Sequence, residues 1–194
     1  MKPKEILVFG ASGQVGRHLI RKFTKNNYKV VAVTRSIHQK GYILKTQANT
    51  GYLDIVELNY FNIDKIESLI ENCSICINLI GILFEKKKNL FKQIHTDFPD
   101  LLSKLAAKKN IEKLIHLSSL GIEKSLDSNY AISKLEGENK IKKNFERYII
   151  LKPSIVYSVD DNFTTNFMTL LNRLPIMPIY YKGKTKFTPI HVTD

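Results

Sequence analysis

Cysteine is scarce in this 194-residue chain: two residues, placed as Cys73-Ser74-Ile75-Cys76. A redox pair at this spacing works when a helix N-terminus lowers the pKa of its first thiol. Here the order is reversed, with a helical pattern ending near Asn72 and a strand pattern beginning at Cys76. A zinc site needs further ligands at suitable spacing, and His18, His38, His95, His116 and His191 supply none. The expectation is two reduced structural thiols and no metal. Long apolar runs are also missing, and none approaches the roughly 20 residues of a membrane span. The opening MKPKEILVFG enters a strand pattern at once and leaves no room for a signal peptide, so the expected location is cytoplasmic.

Acidic residues are in deficit: 18 Asp and Glu face 30 Lys and Arg, for a net charge of +12. Such an excess raises nucleic acid or an acidic membrane surface as a partner. Yet only five of the 30 basic residues are Arg, and the lysines are spread along the chain. The densest run, Lys86-Lys87-Lys88, is short and follows the apolar NLIGILF. A composition rich in Lys, Ile and Asn accounts for the charge without a nucleic-acid face; a weak attraction to anionic lipid remains compatible with it. Internal repeats, low-complexity tracts and an obvious linker are absent.

What is present is the makeup of a globular domain, 43% apolar and 25% charged. Near-continuous apolar runs at 5–9, 29–34, 53–58, 75–80, 113–118 and 148–152 read as strands covered on both faces, as in a parallel sheet. Helical periods lie between them at 14–26, 63–72, about 90–109 and 128–144. Pro99 interrupts the third, which suggests a restart with Asp97 as cap and Pro99 in the first turn. Segment 35–51 carries neither signal well and reads as a loop or a short irregular helix. Parallel strands require crossovers, so the alternation implies an α/β fold with a doubly wound sheet. It stops after Pro153, where a helix at 162–173 and a Pro-rich tail follow. The expected division is 1–152 as the doubly wound domain and 153–194 as the start of a second, smaller C-terminal lobe.

Directly after the first strand stands Gly10-Ala-Ser-Gly13-Gln-Val-Gly16, and a helix follows. A glycine triplet means little alone, but strand before and helix after is the context that dinucleotide binding requires. Gly10 permits the tight turn, Gly13 lets a pyrophosphate approach the backbone, and Gly16 lets helix and strand pack closely. The helix start then offers N–H groups and partial positive charge to the pyrophosphate. Ser12, Gln14 and Val15 complete the loop and are counted with the glycines as cofactor contacts. At the end of the second strand, where an acid commonly selects NAD, stands Arg35, with Lys40 and Lys45 beyond it. An arginine there accommodates a 2′-phosphate, so NADP(H) is expected over NAD(H); the plainer alternative is a solvated surface arginine.

Further along, SNYAISKLEGEN places Tyr130 and Lys134 at i and i+4, on one helix face. An ammonium beside a phenol favours the phenolate. The spacing also arises by chance, and it acquires weight from the glycine loop and from Ser119 at the end of the fifth strand.

Together these features resemble the extended or atypical short-chain dehydrogenase/reductase superfamily, whose members bind NAD(P) on a Rossmann sheet. Within it the chain is similar to the nucleotide-binding accessory subunit of respiratory complex I and its bacterial relatives. The matching pieces are FGASGQVGRHL, NLIGILFE, HLSSLG, SNYAISKLEGE, LKPSIVYSVDDNFTTNF and LPIMPIYYKGKTKFTPIHVTD, in order along nearly the whole chain. The resemblance implies Tyr130 as general acid/base, Lys134 as its ribose-binding neighbour and Ser119 as the hydroxyl that polarises a substrate carbonyl. It implies cofactor contacts from Asn59 and Tyr60 after the third strand, from Leu79, Ile80 and Gly81 after the fourth, and from Leu117 and Ser118. Pro153 and Ile155 match the turn beside the nicotinamide. Asn59 departs from the usual Asp. The short spacing from Ser119 to Tyr130 and the end at Asp194 depart from the sugar epimerases, and a half-built lobe should expose Phe163, Phe167, Leu170 and Leu171.

Two functions follow from this resemblance. One is an accessory or assembly-type subunit of complex I that holds NADP(H) structurally, attached peripherally at the cytoplasmic face of the inner membrane. The other is an active NADP-dependent oxidoreductase or epimerase using Ser119, Tyr130 and Lys134. Fold alone does not choose between them.

Overall fold

The computed structural model describes residues 5–58, 62–174, 184 and 186–194. The chain divides into two compact units, Met1–Lys152 and Pro153–Asp194.

The first unit is built on strands β1 (Glu5–Phe9), β2 (Lys29–Thr34), β3 (Leu53–Glu57), β4 (Ile75–Asn78), β5 (Lys113–Leu117) and β6 (Tyr148–Leu151). They form one sheet in the order β3-β2-β1-β4-β5-β6, and every pairing is parallel. Reversal of strand order between β1 and β4 creates the crevice at the carboxyl edge where α/β sheets of this kind place ligands. The unbroken apolar runs have a direct cause. Successive residues of β1 face opposite cores: Leu7 and Phe9 join one cluster with Phe98, Leu102 and Ile141, while Ile6 and Val8 join the other with Ile20 and Leu44.

Helices α1 (Gln14–Lys25), α2 (Ile37–Lys45), α3 (Ile63–Glu71), α4 (Phe98–Lys108) and α5 (Asn129–Asn144) supply the covering layers. Segment 35–51 is more regular than its sequence suggests. Only Gly41 and Leu44 of α2 are buried, so apolar periodicity is weak and the helix is set by its N-terminus instead. There the Ser36 hydroxyl accepts from Gln39 N–H at 3.4 Å and the Glu57 carboxylate accepts from Ile37 N–H at 2.7 Å.

The third helical pattern also differs from a simple restart. A π-helical turn, Lys92–Asp97, leads straight into α4, and Asp97 makes no side-chain cap. Pro99 has no N–H to give the His95 carbonyl, so the regular bond between these positions cannot form. That carbonyl lies against Gly137 of α5, where a Cβ would stand 1.8 Å from His95 O. Glycine at 137 is therefore what lets α5 approach the π-helical turn. Both cysteines are free and buried. Burial pushes the Cys73 thiol up to about 12 and raises Cys76 as well. Among the described residues, no helix is long and apolar enough to cross a membrane.

In the second unit, β7 (Val156–Tyr157) pairs in parallel with β8 (Ile190–His191). Helix α6 (Asn162–Arg173) is capped by Asp161, whose carboxylate accepts from Thr164 N–H at 2.6 Å. Phe163, Phe167, Leu170 and Leu171 of α6 are all exposed.

Candidate functional site

The glycine turn is shaped by close backbone approach. Gly10 has φ +77°, and a Cβ on it would come within 3.0 Å of the Leu79 carbonyl carbon. Gly13 donates its N–H to Gly10 O at 3.0 Å and forms the extended N-cap of α1. A Cβ at Gly16 would stand 2.5 Å from Ala11 O, so glycine there keeps α1 tight on the strand end. The first turn of α1, including Gln14 and Val15, contains no acidic residue and Gly13 provides no side-chain cap. This end of the helix is therefore electropositive, as an anion site requires. Ser12 is half-buried, and its carbonyl accepts from Arg17 Nη1 at 3.3 Å.

Arg35 is exposed one residue beyond β2. An acid stands at the adjoining strand end, because Thr34, the residue before Arg35, pairs in register with Glu57. Glu57 was not among the expected site residues, although its position at the end of β3 was legible.

At the end of β4, Leu79 N–H donates to Phe9 O at 3.0 Å, and the Asn78 side chain accepts from Ile80 N–H at 3.1 Å. These bonds hold Leu79, Ile80 and Gly81 beside the glycine turn. Around Gly81 the nearest atoms to an added Cβ are His95 Nε2 and Lys134 Nζ, both at 3.9 Å. The backbone there is approachable, and Gly81 is exposed.

The reactive-looking cluster joins the end of β5 to the first half of α5. Helix α5 begins after Ser128, whose hydroxyl accepts from Ala131 N–H. Three consecutive residues, 117 to 119, are each tied to one turn of that helix. Lys134 Nζ donates to Leu117 O at 2.9 Å. The Ser118 hydroxyl donates to Glu138 Oε1 at 2.6 Å, and the Ser119 and Tyr130 hydroxyls lie 2.7 Å apart. Ser119 and Tyr130 are half-buried and able to exchange a proton with each other and with a bound oxygen atom. Lys134 is almost wholly buried, and desolvation lowers it to about 8.

Several residues of this cluster were missed. His95, fully buried, accepts Ile82 N–H on Nε2 at 3.1 Å. Its other nitrogen, Nδ1, therefore carries the proton and donates to Ser133 Oγ at 3.0 Å, and Ser133 donates in turn to Tyr130 O at 2.8 Å. Burial holds His95 down at about 4, with the Lys134 charge adding to the effect. Phe91 and His95 both pack edge-on against the Tyr130 ring, at 5.9 and 5.3 Å. His116 is buried against Asn78 at 3.1 Å and falls to about 3 for the same reasons. Glu138 is fully buried and ion-paired to Lys152 at 2.9 Å, and Lys152 also pairs with Glu123. His95 looked like an isolated histidine in the sequence; its spacing of four from Phe91 was the available signal.

The profile of the NAD dependent epimerase/dehydratase family matches residues 6–194. The chain belongs to that family. It is 25% identical over 187 residues to the mitochondrial NADH-ubiquinone oxidoreductase 40 kDa subunit of Neurospora crassa, covering 96% of this chain and 48% of that protein. It is 24% identical over 191 residues to the ceramide reductase of Caulobacter vibrioides, covering 97% of this chain and 57% of that one. In fold it is similar to the UDP-glucuronic acid 4-epimerase of Bacillus cereus, with a TM-score of 0.76 and 22% identity over 97% of this chain and 69% of that structure. The chain thus spans about half the length of the curated relatives it matches.

Within this family member the structure gathers Gly10, Ser12, Gly13, Gln14, Val15 and Gly16 with Leu79, Ile80 and Gly81 at adjoining strand ends, and Ser119, Tyr130 and Lys134 one strand further on. Ser118 is buried and turned to Glu138. Asn59 and Tyr60 lie outside the described residues. Pro153 and Ile155 belong to the second unit, where Ile155 lines an apolar depression of about 370 Å³ with Tyr157, Phe163, Thr164, Phe187 and Pro189. Among the described residues no three His, Cys, Asp or Glu side chains gather as a metal site would need.

Proposed function

We propose that this chain is an NADP(H)-binding protein of the accessory-subunit type, holding the dinucleotide across the carboxyl edge of β1 and β4. The observation that carries the reading is the glycine turn at an electropositive α1 N-terminus. It stands next to an approachable Gly81 within reach of Lys134. Residues Gly10 to Gly16 would hold the pyrophosphate, and Arg35 the additional 2′-phosphate. Asn59 and Tyr60 would lie by the adenine, and Leu79 to Gly81, Leu117, Ser118 and Lys134 toward the nicotinamide ribose. Residues 1–152 would form the dinucleotide domain. Residues 153–194, which include Pro153 and Ile155, would form part of a second lobe. Similarity to a respiratory NADH-ubiquinone oxidoreductase subunit supports attachment to such a complex at a membrane surface.

A specific observation also favours a reductase reading: the Ser119 and Tyr130 hydroxyls are already in contact, with Lys134 buried one turn away. Bound nicotinamide would supply or accept hydride at the substrate carbon. Ser119 would hold the substrate oxygen by donating a hydrogen bond to it. Tyr130 would pass its phenolic proton to that oxygen on reduction, or take it back on oxidation. Lys134 would hold the ribose hydroxyls.

Titration of the purified protein with NADPH and NADH, followed by melting temperature, tests the binding reading. Tight binding shows as a rise in melting temperature with ligand concentration. Absence of a shift with either dinucleotide would refute it. NADPH oxidation against quinone, sugar-nucleotide and simple carbonyl panels separates the two functions. Turnover that vanishes in Tyr130→Phe establishes the reductase, whereas retained dinucleotide without turnover leaves the accessory role.

A further inference from the structure

We propose that the loop at residues 82–89, between β4 and the π-helical turn, is a docking element for an anionic lipid bilayer. Its tip carries two large apolar side chains that the described residues leave exposed: Leu83 is 73% exposed and Phe84 79%. The three residues after Glu85 are Lys86, Lys87 and Lys88, all exposed. Among the described residues none of these lysines has an acidic partner. The one acid of the loop is engaged elsewhere, since the Glu85 carboxylate accepts from Phe91 N–H at 3.1 Å.

The loop is a folded structure. Leu90 N–H donates to Lys87 O at 3.2 Å, Gln93 N–H to Asn89 O at 3.1 Å, and Asn89 holds the left-handed conformation at φ +66°. These turns and the Glu85–Phe91 bond fix the lysine-bearing part of the loop, and the exposed Leu83-Phe84 pair directly precedes it in the chain. Adjacent on the same sheet edge, the segment after β5 leaves Leu120 and Leu126 58% and 62% exposed.

This combination identifies the occupant by its chemistry. Projecting Leu and Phe side chains gain by entering the acyl boundary, and a bilayer receives them without a shaped pocket. Lysines alongside them rest their stems on the same boundary and keep their ammonium groups among anionic headgroups. The chain's net charge of +12 adds a long-range attraction to such a surface. An acidic protein would answer the lysines but gives no reason for an unpaired apolar tip. Docking in this way is independent of whether the glycine turn holds a dinucleotide.

The chain contains no tryptophan, so Phe84→Trp introduces a single reporter. With vesicles of equal phosphatidylcholine and phosphatidylglycerol, its emission should shift to the blue and be quenched by brominated acyl chains. A Tyr28→Trp reporter, in the turn before β2 at the opposite sheet edge, should do neither. Lys86→Gln/Lys87→Gln/Lys88→Gln in the Phe84→Trp background should weaken partitioning about a hundredfold, from roughly a fivefold loss per lysine. High salt should reproduce that loss. All substitutions are at exposed positions, and unchanged melting temperature verifies the fold. An unchanged Phe84→Trp spectrum on anionic vesicles overturns the proposal. So does retention of binding in the triple variant, or a response to soluble polyglutamate in place of vesicles.

Discussion

The Ser118 hydroxyl donates to the fully buried Glu138 carboxylate at 2.6 Å, tying the end of β5 to α5 one turn beyond Lys134. The same carboxylate pairs with Lys152 just after β6, so one buried anion joins three elements. The sequence neighbours of Ser118, Leu117 and Ser119, are the ones that meet Lys134 and Tyr130. The clasp therefore sets the register between strand end and helix on which the Ser119–Tyr130 contact depends.

Glu138→Gln removes the buried charge and leaves Lys152, which is partly exposed, to Glu123 and water. Loss of a hydrogen-bonded buried ion pair should cost about 2–3 kcal/mol. Urea denaturation measures this, and a double-mutant cycle with Ser118→Ala should show the two changes to be strongly non-additive. Additive effects would mean that the hydroxyl and carboxylate do not act together.

Two buried histidines make the fold acid-sensitive above the range where carboxylates titrate. In the folded chain His95 is held at about 4 and His116 at about 3, both below the ordinary 6.5. Depressed values mean that the unfolded chain binds the extra protons first. Stability is thus complete above pH 6.5 and falls as pH drops toward those folded values. Each histidine contributes a slope of about 1.4 kcal/mol per pH unit between 6.5 and its folded pKa. Unfolding free energies between about pH 5 and pH 6.5 should show both contributions. His116→Gln or His95→Gln should each remove about half of the slope.

Lys134 has a consequence of the same sign at high pH. Desolvation lowers it from 10.5 to about 8, so from pH 8 upward the folded chain releases a proton that the unfolded chain retains to 10.5. Stability should accordingly rise with pH across this window, by about 1.4 kcal/mol per unit. Lys134→Met should flatten that rise relative to wild type in parallel urea titrations. Equal slopes in both proteins would show that the ammonium is not buried as described.

Legibility in the sequence followed the physics of each element. Parallel strands covered on both faces leave continuous apolar runs, and all six were visible to within two residues at each end. The glycine turn was visible because strand, glycines and helix are contiguous. Helix α2 was not, since Ser36 and the distant Glu57 stabilise it more than apolar periodicity does. His95 and Glu138 were hidden for a related reason. Their roles depend on Ile82, Ser133, Ser118 and Lys152, brought together by the fold and distant from any local motif.

Close helix contact yields a further prediction. Gly137→Ala would put a methyl group 1.8 Å from the His95 carbonyl, with the Pro99 ring 3.5 Å away. Backbone on both sides must move apart, and overpacking of this kind should cost about 3 kcal/mol or more. The displacement would also shift His95 and its bond to Ser133, and through it the Tyr130 segment. Gly41→Ala serves as comparison, because there the nearest atom is a side-chain methyl of Ile37 at 3.1 Å, a contact relieved by a shift of a few tenths of an ångström with no backbone in the way. Melting temperatures should separate the two variants clearly.

Dinucleotide choice should turn on Arg35 and Glu57, which stand at adjoining strand ends. If Arg35 holds a 2′-phosphate, Arg35→Ser should weaken NADPH about tenfold to a hundredfold, the range expected for one charge-assisted contact. NADH, lacking that phosphate, should be little affected. Glu57 works the other way. Its carboxylate occupies the α2 N-terminus through Ile37 N–H and places negative charge near the position proposed for the phosphate. Glu57→Gln keeps an oxygen to accept that N–H and removes the charge, so NADPH should tighten several-fold while NADH stays level. Paired titrations of both dinucleotides against the two variants decide the matter. An identical response of NADPH and NADH to each substitution would show that neither residue reads the 2′-position.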